Sequence, residues 1–291
     1  MGSSDDRLRE MGKPIGFIRI IRLLNCLMMG FAVIVGASLV SPLNLSVNLL
    51  LAFITSFTLT GASMTINDYY DKELDAINEP NRPIPSGVIS PKEALYFALV
   101  LSIIGFGAAV GTNFPDFSCL MVAAIAYIVS ISYVTKGKQT GLAGNLLVST
   151  CVVVPFIYGS FVVQEPQLSV VLFTVIAFLS NTGREIAKGI VDVEGDKSKD
   201  ISTIAVLHGE KTAAVSSSVF LVLAVVLTPL PWALGLVSPL YLPSVILTDA
   251  GLIWSCVSLL RDYSRKNARK VKNLILLWFI AGLLAFVSGT F

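Results

Sequence analysis

Apolar stretches long enough to cross a bilayer alternate with short polar segments along almost the whole chain. No Asp, Glu, Lys or Arg occurs between Leu23 and Asn67, Ala94 and Pro115, Phe117 and Thr135, Gln139 and Gln164, or Pro166 and Gly183. Thr212 to Thr248, Ala250 to Leu260 and Asn273 to Phe291 are equally bare. A hydrocarbon core of ~30 Å takes about 20 helical residues to cross, and the first window holds two crossings parted by Ser41-Pro42-Leu43-Asn44. The pattern predicts nine helices, near 23–40, 47–67, 94–111, 118–134, 143–163, 168–188, 213–230, 241–260 and 274–290.

The basic residues test that count independently, because Lys and Arg gather in alternate loops when the number of crossings is right. All 21 fall before the first helix or in the segments 68–93, 135–142, 184–212 and 261–272. The other loops (41–46, 112–117, 164–167 and 231–240) carry only Asp116 and Glu165. This asymmetry predicts an all-α, multi-pass protein of the cell membrane with a cytoplasmic N-terminus. Residues 1–16 read as a mobile N-terminal arm, and 17–291 as one transmembrane domain of two pseudo-repeat halves, about 17–140 and 141–291.

Composition agrees: 54% hydrophobic and 14% charged residues, with a mean hydropathy of +0.78, leave too little polar surface for a water-soluble globule. A net charge of +2 without a long basic run gives no footprint for nucleic acid, and nothing implies a protein partner. Cys26, Cys119, Cys151 and Cys256 stand singly in apolar segments and read as packing residues; the lone His208 has no constellation around it. His-dependent triads and most zinc chemistry fall away.

What remains is the placement of the carboxylates. The second helix ends in NDYYDKELD (67–75) and the sixth in DVEGDKSKD (192–200). If helix continues through them, Asn67, Asp71 and Asp75 share one face, as do Asp192, Asp196 and Asp200. Like charges one turn apart repel, so two such ladders call for cations. Oxygen-only ligands select a hard divalent ion, and a few carboxylates shared with substrate phosphate oxygens are the habit of Mg²⁺. An even number of crossings separates the ladders, so both end at the same membrane face and predict one shared site, facing the cytoplasm.

A polyanion in that site needs basic partners. Candidates are Arg22, Arg82, Lys136, Lys138, Arg184 and Lys188, with Asn25 one turn beyond Arg22; each cation also suits a snorkelling anchor. Pro83 and Pro85 forbid a continuous helix through 78–87, which reads as an ordered cap. Ser90-Pro91-Lys92-Glu93 predicts a helix start with a capping box. Asp249, within the eighth helix, is an intramembrane carboxylate without an assigned role.

NDYYDKELD followed by NRPIPSG, then DVEGDKSKD, resembles the paired acidic motifs of the UbiA superfamily of intramembrane prenyltransferases. The resemblance spans essentially the whole chain. It implies nine helices around a central cavity, Mg²⁺ as cofactor, a prenyl diphosphate donor and a lipophilic acceptor. Position by position it implies metal binding by Asn67, Asp68, Asp71, Asp75, Asp192, Asp196 and Asp200, with Asp71, Asp75, Asp196, Asp200 and Tyr133 taking part in catalysis. Tyr133-Val134-Thr135-Lys136 is similar to the family's aromatic and Lys positions. The segments 22–28 and 183–189 are similar to the archaeal ether-lipid branch, although Leu23 stands where that branch often has Pro. That similarity implies transfer of a geranylgeranyl group from geranylgeranyl diphosphate to the hydroxyl of geranylgeranylglyceryl phosphate. Chlorophyll synthases share a very similar first motif, so an aromatic or tetrapyrrole acceptor stands as an alternative, and a cation transporter using the same carboxylates as a second.

Overall fold

The computed structural model describes residues 4–42, 44–163, 167–198 and 200–291, with side chains from Gly12 onward except those of residues 74, 77 and 78. Glu165 and residues 1–3 lie outside the described residues. The chain folds as α1 (Ser4–Ile20), α2 (Leu23–Ser38), α3 (Val47–Tyr70), α4 (Lys72–Asn78), α5 (Pro91–Gly111) and α6 (Ser118–Thr135). A 3₁₀ turn (Gly137–Gln139) leads to α7 (Leu142–Val163), α8 (Leu168–Lys197), α9 (Ile204–Leu227), α10 (Leu230–Ala233), α11 (Tyr241–Arg261) and α12 (Arg265–Gly289). Among the described residues eight helices are long and apolar enough to cross a membrane, and a ninth span is made by Gly12–Ile20 with Leu23–Ser38, bent by 45°.

The predicted spans are found, with informative differences at their ends. Residues 4–16, read as an arm, are helical and belong to α1. α8 runs nine residues past its predicted end, to Lys197. α9 begins at Ile204, but Gly209 (φ 84°) breaks its geometry, so the crossing proper follows the glycine. The start of α5 is the predicted one: the Glu93 amide donates to Ser90 Oγ (3.2 Å) and the Ser90 amide to Glu93 Oε2 (2.8 Å).

The chain divides into two compact units, residues 1–34 with 44–135 and residues 35–43 with 136–291. In the first, α3 packs against α5 and α6. Lipid tails are as apolar as the helices, so association rests on close approach and interhelical hydrogen bonds rather than on hydrophobic burial. Gly105 illustrates this: a Cβ there would lie 2.7 Å from Leu59 and Thr58, and its carbonyl accepts from Thr55 Oγ1 (3.3 Å). Ser63 and Ser130 join α3 to α6 at 2.5 Å. Ile20, Ile84, Ile89 and Ala94 form the core that anchors the turns after α4.

In the second unit α8 packs on α7, α9 and α12, and α11 on α9 and α12. The same devices recur. Ser217 Oγ donates to the Gly183 carbonyl (2.7 Å) where a Cβ would meet Leu221 at 2.8 Å, and Ser149 binds Asn181 (3.1 Å) and Thr182 (2.9 Å). Such bonds contribute about 0.6 kcal/mol each on average. Ile103, Ile125, Ile246 and Ile280 are exposed, as side chains facing lipid must be. Cys26, Cys119 and Cys256 are buried and Cys151 half-buried, all as free thiols.

Candidate active site

The first acidic motif sits where α3 hands over to α4. Helical bonding continues across the joint, from the Asp71 amide to the Asn67 carbonyl (2.9 Å) and from Asp75 to Asp71 (2.7 Å), although Asp71 itself leaves helical geometry. Asp68 and Asp75 are buried, at 4% and 6% exposure. Burying a carboxylate is costly unless a cation meets it. Arg22 Nη2 lies 2.9 Å from Asp68 Oδ1, and Arg82 Nη1 lies 2.6 Å from Asp75 Oδ2 and 3.6 Å from Asp68 Oδ1.

The two arginines thus reach the motif from either side of it in the sequence, Arg22 from before it and Arg82 from after it. Arg22 occupies the bend between α1 and α2 with φ 52°, a left-handed conformation that an L residue adopts at some cost. Arg82 comes from the proline-restricted turns, which are ordered by the amides of Arg82, Ser86 and Ile89 bonding to Glu79, Arg82 and Pro83 carbonyls. Burial raises the Asp75 carboxyl above its usual range against the lowering influence of Arg82, with Asp68 and Asp71 adding to the rise. Lys72 sits 4.6 Å above the Tyr69 ring, and Tyr70 is exposed. Asn67, Asp71 and Asn25 are half-buried.

The second motif is built differently. α8 continues through Asp192 and Asp196, both half-buried, and puts them on the face that carries Arg184 and Lys188 at one-turn intervals. Asp200 does not extend this ladder, which corrects the expectation of a third rung. The Ile201 amide bonds back to the Asp196 carbonyl (3.0 Å) and the Asp200 amide to Lys197 (3.4 Å), a Schellman ending with Asp200 in the left-handed position at φ 54°. The segment beyond it meets the loop after α6: the Ser202 amide donates to the Gln139 carbonyl (3.4 Å), and Gly141, at φ 61°, leaves room for the Ser202 backbone. Lys138 and exposed Lys136 belong to that loop. Tyr133 is half-buried in the last turn of α6.

Glu185 is a residue that sequence reasoning passed over. Its oxygens lie 2.6 Å from Arg184 Nη1 and 3.4 Å from Lys188 Nζ. The signal was available, since an acid between two cations in an otherwise apolar helix is costly without a purpose. Asp249 Oδ2 lies 2.7 Å from Thr228 Oγ1, and Tyr241 donates to the Thr228 carbonyl (2.8 Å). Asp249 thus makes a polar contact between α11 and the residue that caps the end of α9.

The donor set suits a hard cation, because the motif side chains offer only oxygen. Among the described residues no group of three or more Asp, Glu, Cys or His side chains could hold an ion by itself. An ion held by one or two carboxylates together with substrate phosphate oxygens and water requires no such cage.

Acidic motifs at the ends of two membrane-length helices mark a multi-pass membrane protein of prenyltransferase type. The profile of the UbiA prenyltransferase family matches residues 28–283, and the chain belongs to that family. It is 36% identical over 273 residues to the digeranylgeranylglyceryl phosphate synthase of Methanopyrus kandleri, covering 94% of this chain and 98% of that one. It is 34% identical to the synthase of the same name from Pyrococcus furiosus, over 94% and 96% of the two chains. A solved digeranylgeranylglyceryl phosphate synthase structure superposes with a TM-score of 0.84 at 30% identity, over 96% of this chain and 98% of that one. A UbiA homologue from Archaeoglobus fulgidus bound to GPP and Mg²⁺ shares the fold, with a TM-score of 0.67 at 17% identity over 93% and 99% of the two chains.

Proposed function

We propose that this chain transfers a geranylgeranyl group from geranylgeranyl diphosphate to the free hydroxyl of geranylgeranylglyceryl phosphate, with Mg²⁺ as cofactor. The observation that carries the reading is the paired acidic motif, each copy at a helix end and attended by cations, in a chain similar over nine-tenths of its length to synthases of that name. The positive-inside pattern supports a cytoplasmic N-terminus, a site facing the cytoplasm and a place in the cell membrane.

Ionising an allylic C–O bond creates a diphosphate anion and a delocalised carbocation. Mg²⁺, when bound, supplies charge stabilisation to the leaving diphosphate. Asn67, Asp68, Asp71, Asp75, Asp192, Asp196 and Asp200 are the side chains assigned to hold it, directly or through water. Asp68 and Asp75 also fix the Arg22 and Arg82 guanidiniums, so that cations are in place before charge develops. Lys136 and Lys138 are assigned to the same anion. The Tyr133 ring face suits the prenyl cation, and apolar helices exclude the water that would quench it. No histidine serves as general base here, so the hydroxyl proton passes to a carboxylate, a phosphate oxygen or water as the ether bond forms.

The test is transfer from labelled geranylgeranyl diphosphate by the purified protein, offered geranylgeranylglyceryl phosphate or a hydroxybenzoate, with Mg²⁺ or EDTA. The reading expects a Mg²⁺-dependent product with the glyceryl phosphate alone. Product with the aromatic acceptor alone would overturn the substrate assignment. Cation flux in proteoliposomes without any transfer would establish the transporter instead.

A further inference from the structure

One cluster exceeds what a single diphosphate needs. Arg184, Lys188, Asp192 and Asp196 follow each other at one-turn intervals on α8, so one stripe changes from cationic to anionic along its length. Lys272 of α12, a helix packed against α8, lies within electrostatic reach of Arg184, Lys188, Asp192 and Arg269. Arg184, Lys188, Arg269 and Lys272, four cations, stand here with three carboxylates, Glu185, Asp192 and Asp196, in a region where charges are rare. Glu185 takes up one arm of Arg184, yet Arg184 Nε is buried and has no hydrogen-bond acceptor. A buried guanidinium N–H left unpaired is costly, and its position among other cations asks for an anion.

The helix geometry says which anion. Twelve residues of α8 separate Arg184 from Asp196, about 18 Å at 1.5 Å per residue. The Cβ bonds of a helix lean toward its N-terminus, so the Arg184 side chain starts out away from the carboxylates rather than toward them. A diphosphate held at the acidic end does not span that distance. We propose that Arg184, Lys188 and Lys272 bind the phosphate of the prenyl acceptor, as an anion site separate from the one that serves the donor diphosphate. This rests on the functional reading in which the acceptor is a glyceryl phosphate. Glu185 is then a positioning residue, holding Arg184 and Lys188 apart and oriented while the site is open. Lys272, to which no sequence motif points, closes the site from α12.

The experiment is two-substrate kinetics on the full-length protein in lipid nanodiscs, comparing wild type, Lys272→Gln and Lys272→Arg, with equilibrium binding of labelled geranylgeranylglyceryl phosphate in EDTA. Loss of one charge-assisted hydrogen bond to the phosphate should raise the acceptor KM and weaken binding in EDTA by at least ~10-fold. The donor KM should stay within about twofold, and Lys272→Arg should recover most of the loss. A comparable rise in donor KM with the acceptor unaffected would overturn the proposal and give the cluster to the diphosphate. No change in either would overturn it too, reducing Lys272 to a counter-charge for Asp192. Should Lys272→Gln misfold, as judged by size-exclusion elution, Arg184→Lys is measured in the same way against the same outcomes. If the wild type uses only an aromatic acceptor, the functional reading itself has failed; if it uses the glyceryl phosphate and the variants leave that KM unmoved, only this inference has.

Discussion

The two acidic motifs look alike as strings and differ as structures. In the first, Asp68 and Asp75 are buried and already tied to Arg22 and Arg82, and the helix breaks at Asp71. In the second, the helix runs on through Asp196, and Glu185, outside the motif, pairs with Arg184 and Lys188. The first motif is therefore a closed electrostatic knot whose partners come from residues 22 and 82. The second is a helical stripe in which cations and carboxylates follow one another at one-turn spacing. A shared motif specifies which atoms are present, whereas local partners decide how much charge remains to offer a ligand.

That contrast is broken most forcefully at Arg82. Arg82→Ala should lower unfolding stability by roughly 2 kcal/mol, allowing for the partial exposure of the pair, because it leaves Asp75 buried without its cation; thermal melting in detergent reads this directly. Glu185→Gln should cost about 1 kcal/mol in the same assay, and added geranylgeranylglyceryl phosphate should raise its melting temperature by more than it raises that of wild type or Arg82→Ala, because the phosphate replaces the charge that Glu185 supplied. If both variants respond to the ligand alike, the distinction between knot and stripe is lost.

A smaller effect comes from the end of the second motif. Asp200 holds a left-handed backbone that glycine adopts freely, so Asp200→Gly should raise stability by about 0.5–1 kcal/mol. If the side chain serves the metal, turnover falls in the same variant, and opposite signs in the two measurements separate the roles. Smaller still is the contribution of Asp116 and Asp262, exposed loop residues whose carboxyls are held below the ordinary 3.8 by the backbone amide and hydroxyl of Ser118 and Ser264. A depressed folded-state value means stability that is present above the unfolded value and lost as pH falls through the folded one. Melting of Asp116→Asn and Asp262→Asn should therefore differ from wild type at neutral pH, and the difference should shrink below about pH 3.8.

Much of this was legible in the sequence. Charge-free windows located the spans, the capping box placed the start of α5 to the residue, and Pro83 and Pro85 marked the turns that carry Arg82. Side-chain partnership was not legible. The bonds from Arg22 to Asp68 and from Arg82 to Asp75 depend on a bend after α1 and on where a loop doubles back, and hydrophobic periodicity records neither. The reach of α8 to Lys197 was hidden because its last turns are polar, and a span was expected to stop where apolar residues stop. Asp200 misled for the opposite reason: one-turn spacing is necessary for a ladder but does not oblige the helix to continue.

The central claim is that both motifs serve one reaction. Single-turnover transfer of labelled geranylgeranyl to geranylgeranylglyceryl phosphate, at saturating Mg²⁺ and with proteins matched for folding, tests it through Asp71→Ala and Asp196→Ala. Loss of metal-based charge stabilisation predicts at least a ~10²-fold fall in rate for each. Near wild-type turnover in either variant would contradict the account.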